Sequence, residues 1–99
     1  MYERNILLGF IRIHILYHAS EEKGIYGVEM MKELERHGYK ISPGTLYPIL
    51  HKMRKDKMLK KEKNLVNGKI RKIYRTTSKG KETLKKLTLF IEELSQEVL

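Results

Sequence analysis

The side chains best suited to chemistry lie between residues 42 and 57. Ser42 and Pro43, a capping hydroxyl before a proline, are typical of a helix start. Pro48 fits best if the helix begins at Thr45 instead, and both starts remain open. Four apolar residues at helical spacing predict the buried face: Leu46, Ile49, Leu50 and Met53. The exposed face then has one proline and five residues with polar groups: Pro48, Thr45, Tyr47, His51, Lys52 and Lys55.

The start of this helix suits phosphate in particular. Unpaired backbone N–H groups and the positive end of the helix dipole attract anions, and Gly44 has no side chain to block their approach. The hydroxyl groups of Thr45 and Tyr47 suit phosphate or base edges. His51 and Lys52 lie one turn further on, within reach of acceptors on guanine. The segment therefore predicts contacts with DNA.

A basic hairpin is predicted immediately after this helix. Asn67 and Gly68 indicate a two-residue turn, because both central positions of a type I′ turn need positive φ. The flanking strands are residues 59–66 and 69–76. Neither face of the second strand is cleanly apolar, so we expect the hairpin to project into solvent. Four of its basic side chains suit the minor groove and backbone of DNA: Lys69, Arg71, Lys72 and Arg75.

The positive charge of the chain is concentrated in these two segments. The 99 residues have a formal net charge of +9, and residues 51–86 contain 15 Lys and Arg against 3 Asp and Glu. Such a block indicates nucleic acid or an anionic membrane as a partner, unless it is simply a solvated face. Glu92, Glu93 and Glu97 would be repelled by an anionic membrane, which favours nucleic acid.

Several other classes of function are disfavoured. The absence of cysteine excludes disulfides, cysteine zinc sites and thiol catalysis. Scattered carboxylates and the lack of a phosphate-binding glycine loop predict no enzyme and no cofactor. His14 and His18 have the spacing of helical metal ligands, but no third ligand accompanies them. We expect packed histidines and no metal, with a metal sensor as the alternative. The motifs of RNA-binding RNP strands and KH loops are missing.

No membrane span or targeting segment is expected. The most apolar run, residues 6–17, is too short to cross a bilayer and contains Arg12 and His14. It also lacks the basic leader and cleavage site of a signal peptide. Together with the absence of cysteine, this predicts a cytoplasmic protein that associates with the nucleoid when it is bound to DNA.

Three further helices are predicted around these segments. Residues 6–17 are apolar almost all round, so we expect burial on more than one side. Residues 27–37 form a short amphipathic helix, ended by Gly38, after a loop over residues 21–25. Thr77 caps a last helix over residues 78–98.

The last predicted helix has an apolar seam. Its members step by three and four positions, as in a coiled coil of about two heptads: Leu84, Leu87, Ile91, Leu94 and Val98. Leu89 and Phe90 widen the seam. We expect it to hold a dimer together with Phe10 of the first helix, although packing onto the chain's own domain is the alternative.

The order of elements is helix, helix, helix, basic hairpin, long helix. This is the order of a winged helix-turn-helix, in which the second helix of the pair enters the major groove. We therefore expect a mainly α fold with a two-stranded β wing. Residues 1–77 form the DNA-binding domain, with the wing at about 59–76. Residues 78–99 form a long C-terminal dimerisation helix packed with the partner's N-terminal helix.

Four short motifs carry a family resemblance. They are Ile-Ser-Pro-Gly-Thr-Leu-Tyr-Pro-Ile-Leu at 41–50, Tyr-Gly-Val-Glu-Met at 26–30, Tyr-x-x-Thr-x-x-Gly at 74–80 and Leu-Gly-Phe at 8–10. They resemble, in that order, four parts of the PadR family of transcriptional regulators. These are the recognition helix, the Tyr/His-Gly-Tyr-Glu-Ile stretch, the exit from the wing and the start of the first helix. Position 28 is valine where the family often has tyrosine, and the chain has no tryptophan.

The resemblance implies a homodimeric repressor with C-terminal dimerisation helices. It also implies a small-molecule effector at the dimer interface. It assigns six residues to DNA: Gly44, Thr45, Tyr47, Pro48, His51 and Lys52. With Tyr26, Gly27, Ser42, Pro43, Lys55 and the wing bases, these form the predicted site. We expect a sequence-specific regulator that binds an inverted-repeat operator. The alternative is a small basic winged-helix protein, architectural or RNA-binding, with little sequence preference.

Overall fold

The structure is a computed structural model that describes residues 1–99. Its elements follow in the order α1 (Tyr2–His18), β1 (Ile25–Tyr26), α2 (Gly27–Arg36), α3 (Pro43–Lys55), β2 (Leu59–Val66), β3 (Lys69–Thr76) and α4 (Ser78–Val98). Helices α1 to α3 surround one core, and β2 and β3 form the wing. The predicted winged, mainly α fold with a long C-terminal helix is confirmed.

The start of α3 follows from its cap. The Ser42 hydroxyl oxygen accepts a hydrogen bond from the Thr45 N–H at 3.2 Å, and Pro43 is the first helical residue. Of the two predicted starts, Pro43 is therefore correct. Pro48 lies inside the helix and cannot donate to the Gly44 carbonyl one turn earlier. Both residues are exposed, so water can satisfy that carbonyl.

The wing has the predicted turn and strands. Asn67 and Gly68, with φ of 51° and 78°, join β2 to β3, and both strand ranges are confirmed. The short strand β1 pairs Ile25 with Tyr74, which gives the sheet order β1-β3-β2. The predicted loop over residues 21–25 is wrong at its end, because a two-residue strand has no periodicity and is defined only by its partner.

The base of the wing is buried and only its tip is free. Four residues at the base are buried: Leu59, Ile73, Tyr74 and Thr76. The Thr76 hydroxyl donates a hydrogen bond of 2.7 Å to the Leu16 carbonyl, which ties the wing to α1. Leu65 and Ile70 near the tip are exposed. The expected projection into solvent therefore applies to the outer half of the hairpin.

The core is built from one apolar stripe on each helix. Its largest fully buried side chains come from α1, α2 and α3: Ile15, Met30, Leu34, Leu46 and Leu50. Helix α1 begins at Tyr2, four residues before the predicted start, and Ile6 and Phe10 on it remain exposed. The sequence predicts that α1 is apolar on more than one side. The exposure of Ile6 and Phe10 agrees with this, because the chain alone does not cover all of the apolar surface of α1.

Helix α4 has two halves with different surroundings. Thr77 caps it by accepting a hydrogen bond of 3.0 Å from the Gly80 N–H. Gly80 lies so close to the Met58 carbonyl that a Cβ would overlap it. Leu84 and Leu87 pack against the core, whereas no residue beyond Leu87 is buried. Both leucines were predicted for the dimer seam, and within the chain they are half-buried against its own core. The exposed apolar surface begins further along.

Candidate nucleic-acid interface

The predicted site residues of α3 lie mostly on one open surface. Eight of them are exposed: Ser42, Pro43, Gly44, Tyr47, Pro48, His51, Lys52 and Lys55. Thr45 is half-buried, and its hydroxyl oxygen accepts a hydrogen bond of 3.3 Å from the Ser42 hydroxyl. No hydrogen bond within the chain uses the Gly44 N–H, so this donor at the positive end of the helix is free for an anion.

Tyr47 joins the starts of α2 and α3. Its side chain is 41% exposed, and its hydroxyl end lies over Gly27, where a Cβ would overlap the hydroxyl oxygen and come within 2.9 Å of the ring carbon Cε1. Only glycine at position 27 admits the ring without a shift. The α2 start is held by a hydrogen bond of 2.9 Å from the Tyr26 N–H to Glu29. Tyr47 therefore packs against the start of α2 while part of its side chain stays open to solvent.

Three basic side chains of α3 surround a shallow depression. His51, Arg54 and Lys55 line it, and no carboxylate is among its lining residues. Lys52, on the same helix, forms an ion pair of 3.1 Å with Asp56, and both side chains are largely exposed. Exposed pairs of this kind are worth little in water, so Lys52 remains able to exchange its partner for a phosphate.

A cluster of basic side chains, which we call the α3–wing cluster, extends this surface along the hairpin. It consists of Arg54 on α3 and three lysines on one face of the wing: Lys61, Lys63 and Lys72. Lys63 and Lys72 are directly opposite on adjacent strands, an arrangement that like charges disfavour. Loss of water contacts, with the charges of Arg54, Lys72 and Lys63, lowers the pKa of Lys61. None of the four forms an ion pair.

Three residues of this cluster were missed in the sequence: Arg54, Lys61 and Lys63. A signal for two of them existed, since the Asn67-Gly68 turn fixes residue 63 opposite residue 72. Alternation then assigns residue 61 to the same face. Arg54 lies between the buried and exposed faces of α3, so only the packing of the wing against the helix identifies it.

The other face of the wing is occupied by contacts within the chain. Arg75 donates a 3.0 Å hydrogen bond to Glu62 and another to the Glu22 carbonyl, and Lys60 lies 3.4 Å from the same Glu62. The Arg71 guanidinium lies 5.5 Å from the centre of the Tyr26 ring. Arg75 was predicted to bind DNA, but its guanidinium is engaged here. Lys69, beside the turn, is exposed.

A separate group of titratable side chains lies between α1 and the end of α2. His14 stacks with His37 at a ring separation of 4.7 Å, and with His18 at 6.1 Å. Burial, together with the neighbouring imidazoles, lowers the pKa of His14. Burial also lowers the pKa of His18, in spite of the nearby Glu33. Both rings are therefore uncharged near neutral pH, as metal ligands must be.

These elements define a class of protein. Helices α2 and α3 are joined by a short turn and followed by a β hairpin, whose basic side chains continue the exposed face of α3. This arrangement is a winged helix-turn-helix. The chain belongs to the transcriptional regulator PadR-like family, whose model matches residues 15–86. It is thus a transcriptional regulator and not an enzyme. None of the four helices combines the length and the apolar character that spanning a bilayer requires.

Similar proteins include regulators from several bacteria. Transcriptional regulator Rv3488 of Mycobacterium tuberculosis is 44% identical over 89 residues, which cover 90% of this chain and 82% of that protein. The structure of a PadR-like transcriptional regulator from Bacillus cereus is 33% identical, with a TM-score of 0.87 over 95% of this chain and 92% of that one. A PadR family regulator from Eggerthella lenta is 28% identical, with a TM-score of 0.82 over 98% and 85%.

Proposed function

We propose that this regulator is a repressor that binds an inverted-repeat DNA operator as a homodimer. The observation that carries the proposal is the α3–wing cluster, which continues the polar face of α3 without an intervening ion pair. Four unpaired cations on one surface repel one another, and a polyanion relieves that repulsion. The shape also suits DNA, since a helix fits the major groove and a hairpin can follow the backbone beside it.

The proposed contacts divide by chemistry. The exposed face of α3 reads base edges through Tyr47, His51 and Lys55, while the free Gly44 N–H binds a phosphate. The α3–wing cluster and Lys69 contact phosphates and contribute affinity with little sequence preference. Arg75 is left out of the interface because it holds Glu62 and Glu22. We keep residues 1–77 as the DNA-binding domain and residues 78–99 as the dimerisation helix.

The second half of α4 supports the proposed homodimer. Between Leu87 and the end of α4 five large apolar side chains are exposed: Leu89, Phe90, Ile91, Leu94 and Val98. Phe10 and Ile6 on α1 are exposed as well. Two copies related by a two-fold axis can bury these surfaces against each other. An opening lined by Phe10, Ile13 and Ile91 is where we propose that a small apolar effector binds.

Selection of duplexes from a random pool tests this function. We expect enrichment of an inverted repeat whose half-sites are about 10 base pairs apart, or a multiple of that spacing. A duplex of the same composition with one half-site scrambled is the control. Because each mismatched base pair costs about 1–3 kcal/mol, it should bind more than about 10-fold more weakly at physiological salt. Binding without enrichment would instead support the architectural alternative. Transcription in vitro from a promoter carrying the selected site then distinguishes repression from activation.

A further inference from the structure

Three of the four histidines in the chain come together from two separate helices. His14 and His18 lie one turn apart on α1, and His37 follows the last residue of α2. With one ring nitrogen taken from each, the three atoms all lie within 4.8 Å of one another. The spacing of His14 and His18 had indicated a helical pair, but the third member is 19 residues further along. Only the packing of α2 against α1 brings it there.

One atom of this cluster lacks the partner that its burial requires. His18 is 8% exposed, and its ring nitrogen Nε2 is buried without any hydrogen bond. An unpaired buried polar atom is costly and rare in native proteins. The other nitrogen, Nδ1, lies 3.9 Å from a Glu33 carboxylate oxygen. This distance is longer than a hydrogen bond, but a carboxylate on this side of the ring can orient a histidine ligand toward a metal once the two atoms approach.

We propose that His14, His18 and His37 bind one divalent transition-metal ion such as Zn²⁺. Zinc–nitrogen distances of about 2.0–2.1 Å imply ligand atoms roughly 3.4 Å apart in a tetrahedron. Rotations that move each ring nitrogen by about 1 Å close the observed separation to that value. Three imidazoles with no thiolate favour Zn²⁺, Co²⁺, Ni²⁺ or Cu²⁺ over Mg²⁺ or Ca²⁺, which prefer oxygen. Water completes the coordination.

The position of this site gives the ion access and a structural role. His37 is exposed and His14 is half-buried, so an ion can enter from solvent. The cavity beside the cluster is lined by Leu84, Thr88 and Ile91 of α4 as well as by the three histidines. A bound ion therefore joins α1 to the end of α2, next to the helix that we propose to form the dimer.

Metal titration of the metal-free full-length protein tests the site. Calorimetry with ZnCl₂ should give one ion per chain, and MgCl₂ should give no heat of binding at the same concentrations. His14→Gln and His37→Gln should each weaken Zn²⁺ affinity by more than about 10-fold, the minimum expected from second-shell losses. His51→Gln removes the one remaining histidine of the chain, which lies on α3. It is the matched control and should leave Zn²⁺ affinity unchanged.

Equal Zn²⁺ affinity in all three variants, or none in the wild type, would overturn the proposal. Circular dichroism of the metal-free variants checks that they fold, which the exposure of His37 favours. If a variant does unfold, imidazole nitrogen shifts in the wild type provide the decision. Shifts on adding ZnCl₂ that are confined to the three clustered histidines support the site, whereas shifts at His51 alone contradict it.

Discussion

The α3–wing surface and the second half of α4 are both open to solvent, yet they differ in the chemistry of their side chains and therefore in the partner that each would bind. The first carries cations, which water hydrates well, so a free protein can present them at only the small cost of their mutual repulsion. The second carries apolar side chains, including Phe90 at 71% and Leu94 at 49% exposure. Their contact with water is unfavourable. We therefore expect a reversible, salt-dependent partner at the first surface and a permanent one at the second.

The strongest test of this difference is to place charge on the apolar surface. Phe90→Asp combined with Leu94→Asp would bury unpaired carboxylates in the proposed dimer. We expect the dissociation constant of the dimer to rise more than about 100-fold, for a cost of some 3 kcal/mol or more. Sedimentation velocity should then show monomers at concentrations where the wild type is dimeric.

A matched control exists at the tip of the wing. Leu65 and Ile70 form a cross-strand pair with 71% and 69% exposure, which is similar to that of Phe90. The double variant Leu65→Asp and Ile70→Asp makes the same chemical change outside the proposed dimer surface. It should sediment like the wild type. Dissociation of both double variants, or of neither, would remove the distinction between the two surfaces.

At the charged surface, the hydroxyl of Tyr47 should contribute most among single groups. Tyr47→Phe keeps the ring over Gly27 and removes only the hydroxyl, twice per operator. At about 0.5–1.5 kcal/mol per contact, the operator affinity should fall about 5- to 150-fold, whereas loss of the hydroxyl's packing against Gly27 should change the melting temperature only slightly. Tyr2→Phe, an exposed control on α1, should change neither. An unchanged affinity for Tyr47→Phe would restrict this residue to a packing role.

The opposed lysines of the wing should separate binding from folding. Lys63→Ala with Lys72→Ala removes two phosphate contacts per half-site, so the salt slope of DNA binding should fall by roughly 2 units per half-site. The same change removes a like-charge pair and should raise stability by about 0.2–1 kcal/mol. Binding should thus weaken while the melting temperature rises. Lys85→Ala with Lys86→Ala on α4 has the same charge change and should leave the salt slope nearly intact.

How far the sequence predicted this molecule depends on the range of the interaction. The wing and α4 have the predicted bounds, because the Asn67-Gly68 turn and the Thr77 cap are decided by neighbouring residues. The fold class and the exposed face of α3 follow from periodicity. Strand β1 and the third histidine, His37, depend on contacts between distant segments. No local pattern encodes those contacts, so they were absent from the predictions.

The same limit explains why some candidate site residues have partners within the chain. Every basic residue of β3 was predicted to contact DNA. A strand has two faces, however, and the residues that pack against each face decide which one is free. Arg75 is on the face shared with Glu62, whereas Lys72 is on the face shared with Lys63. In the same way, Leu84 continues the apolar seam of α4 but packs partly against the chain's own core. Spacing identifies a surface, and packing decides whether it is available.

The smallest expected effect concerns the occupied face of the wing. The hydrogen bond from Arg75 lowers the pKa of Glu62 in the folded chain. The ionised Glu62 therefore stabilises the fold at pH values above its pKa in the unfolded chain. This contribution is lost as the pH falls through the pKa of Glu62 in the folded chain. Wild type should melt slightly above Glu62→Gln at neutral pH, and the difference should vanish in acid, where Glu62 is protonated.

Operator affinity distinguishes this face of the wing from the other. Because Arg75 is engaged within the chain, Glu62→Gln should change DNA binding much less than the loss of Lys63 and Lys72 does. Glu82→Gln on α4 removes the same charge without breaking an ion pair, and it controls for the general change in electrostatic potential. If Glu62→Gln raised operator affinity well beyond this control, the released Arg75 would be binding phosphate. The two faces of the wing would then compete for the same DNA.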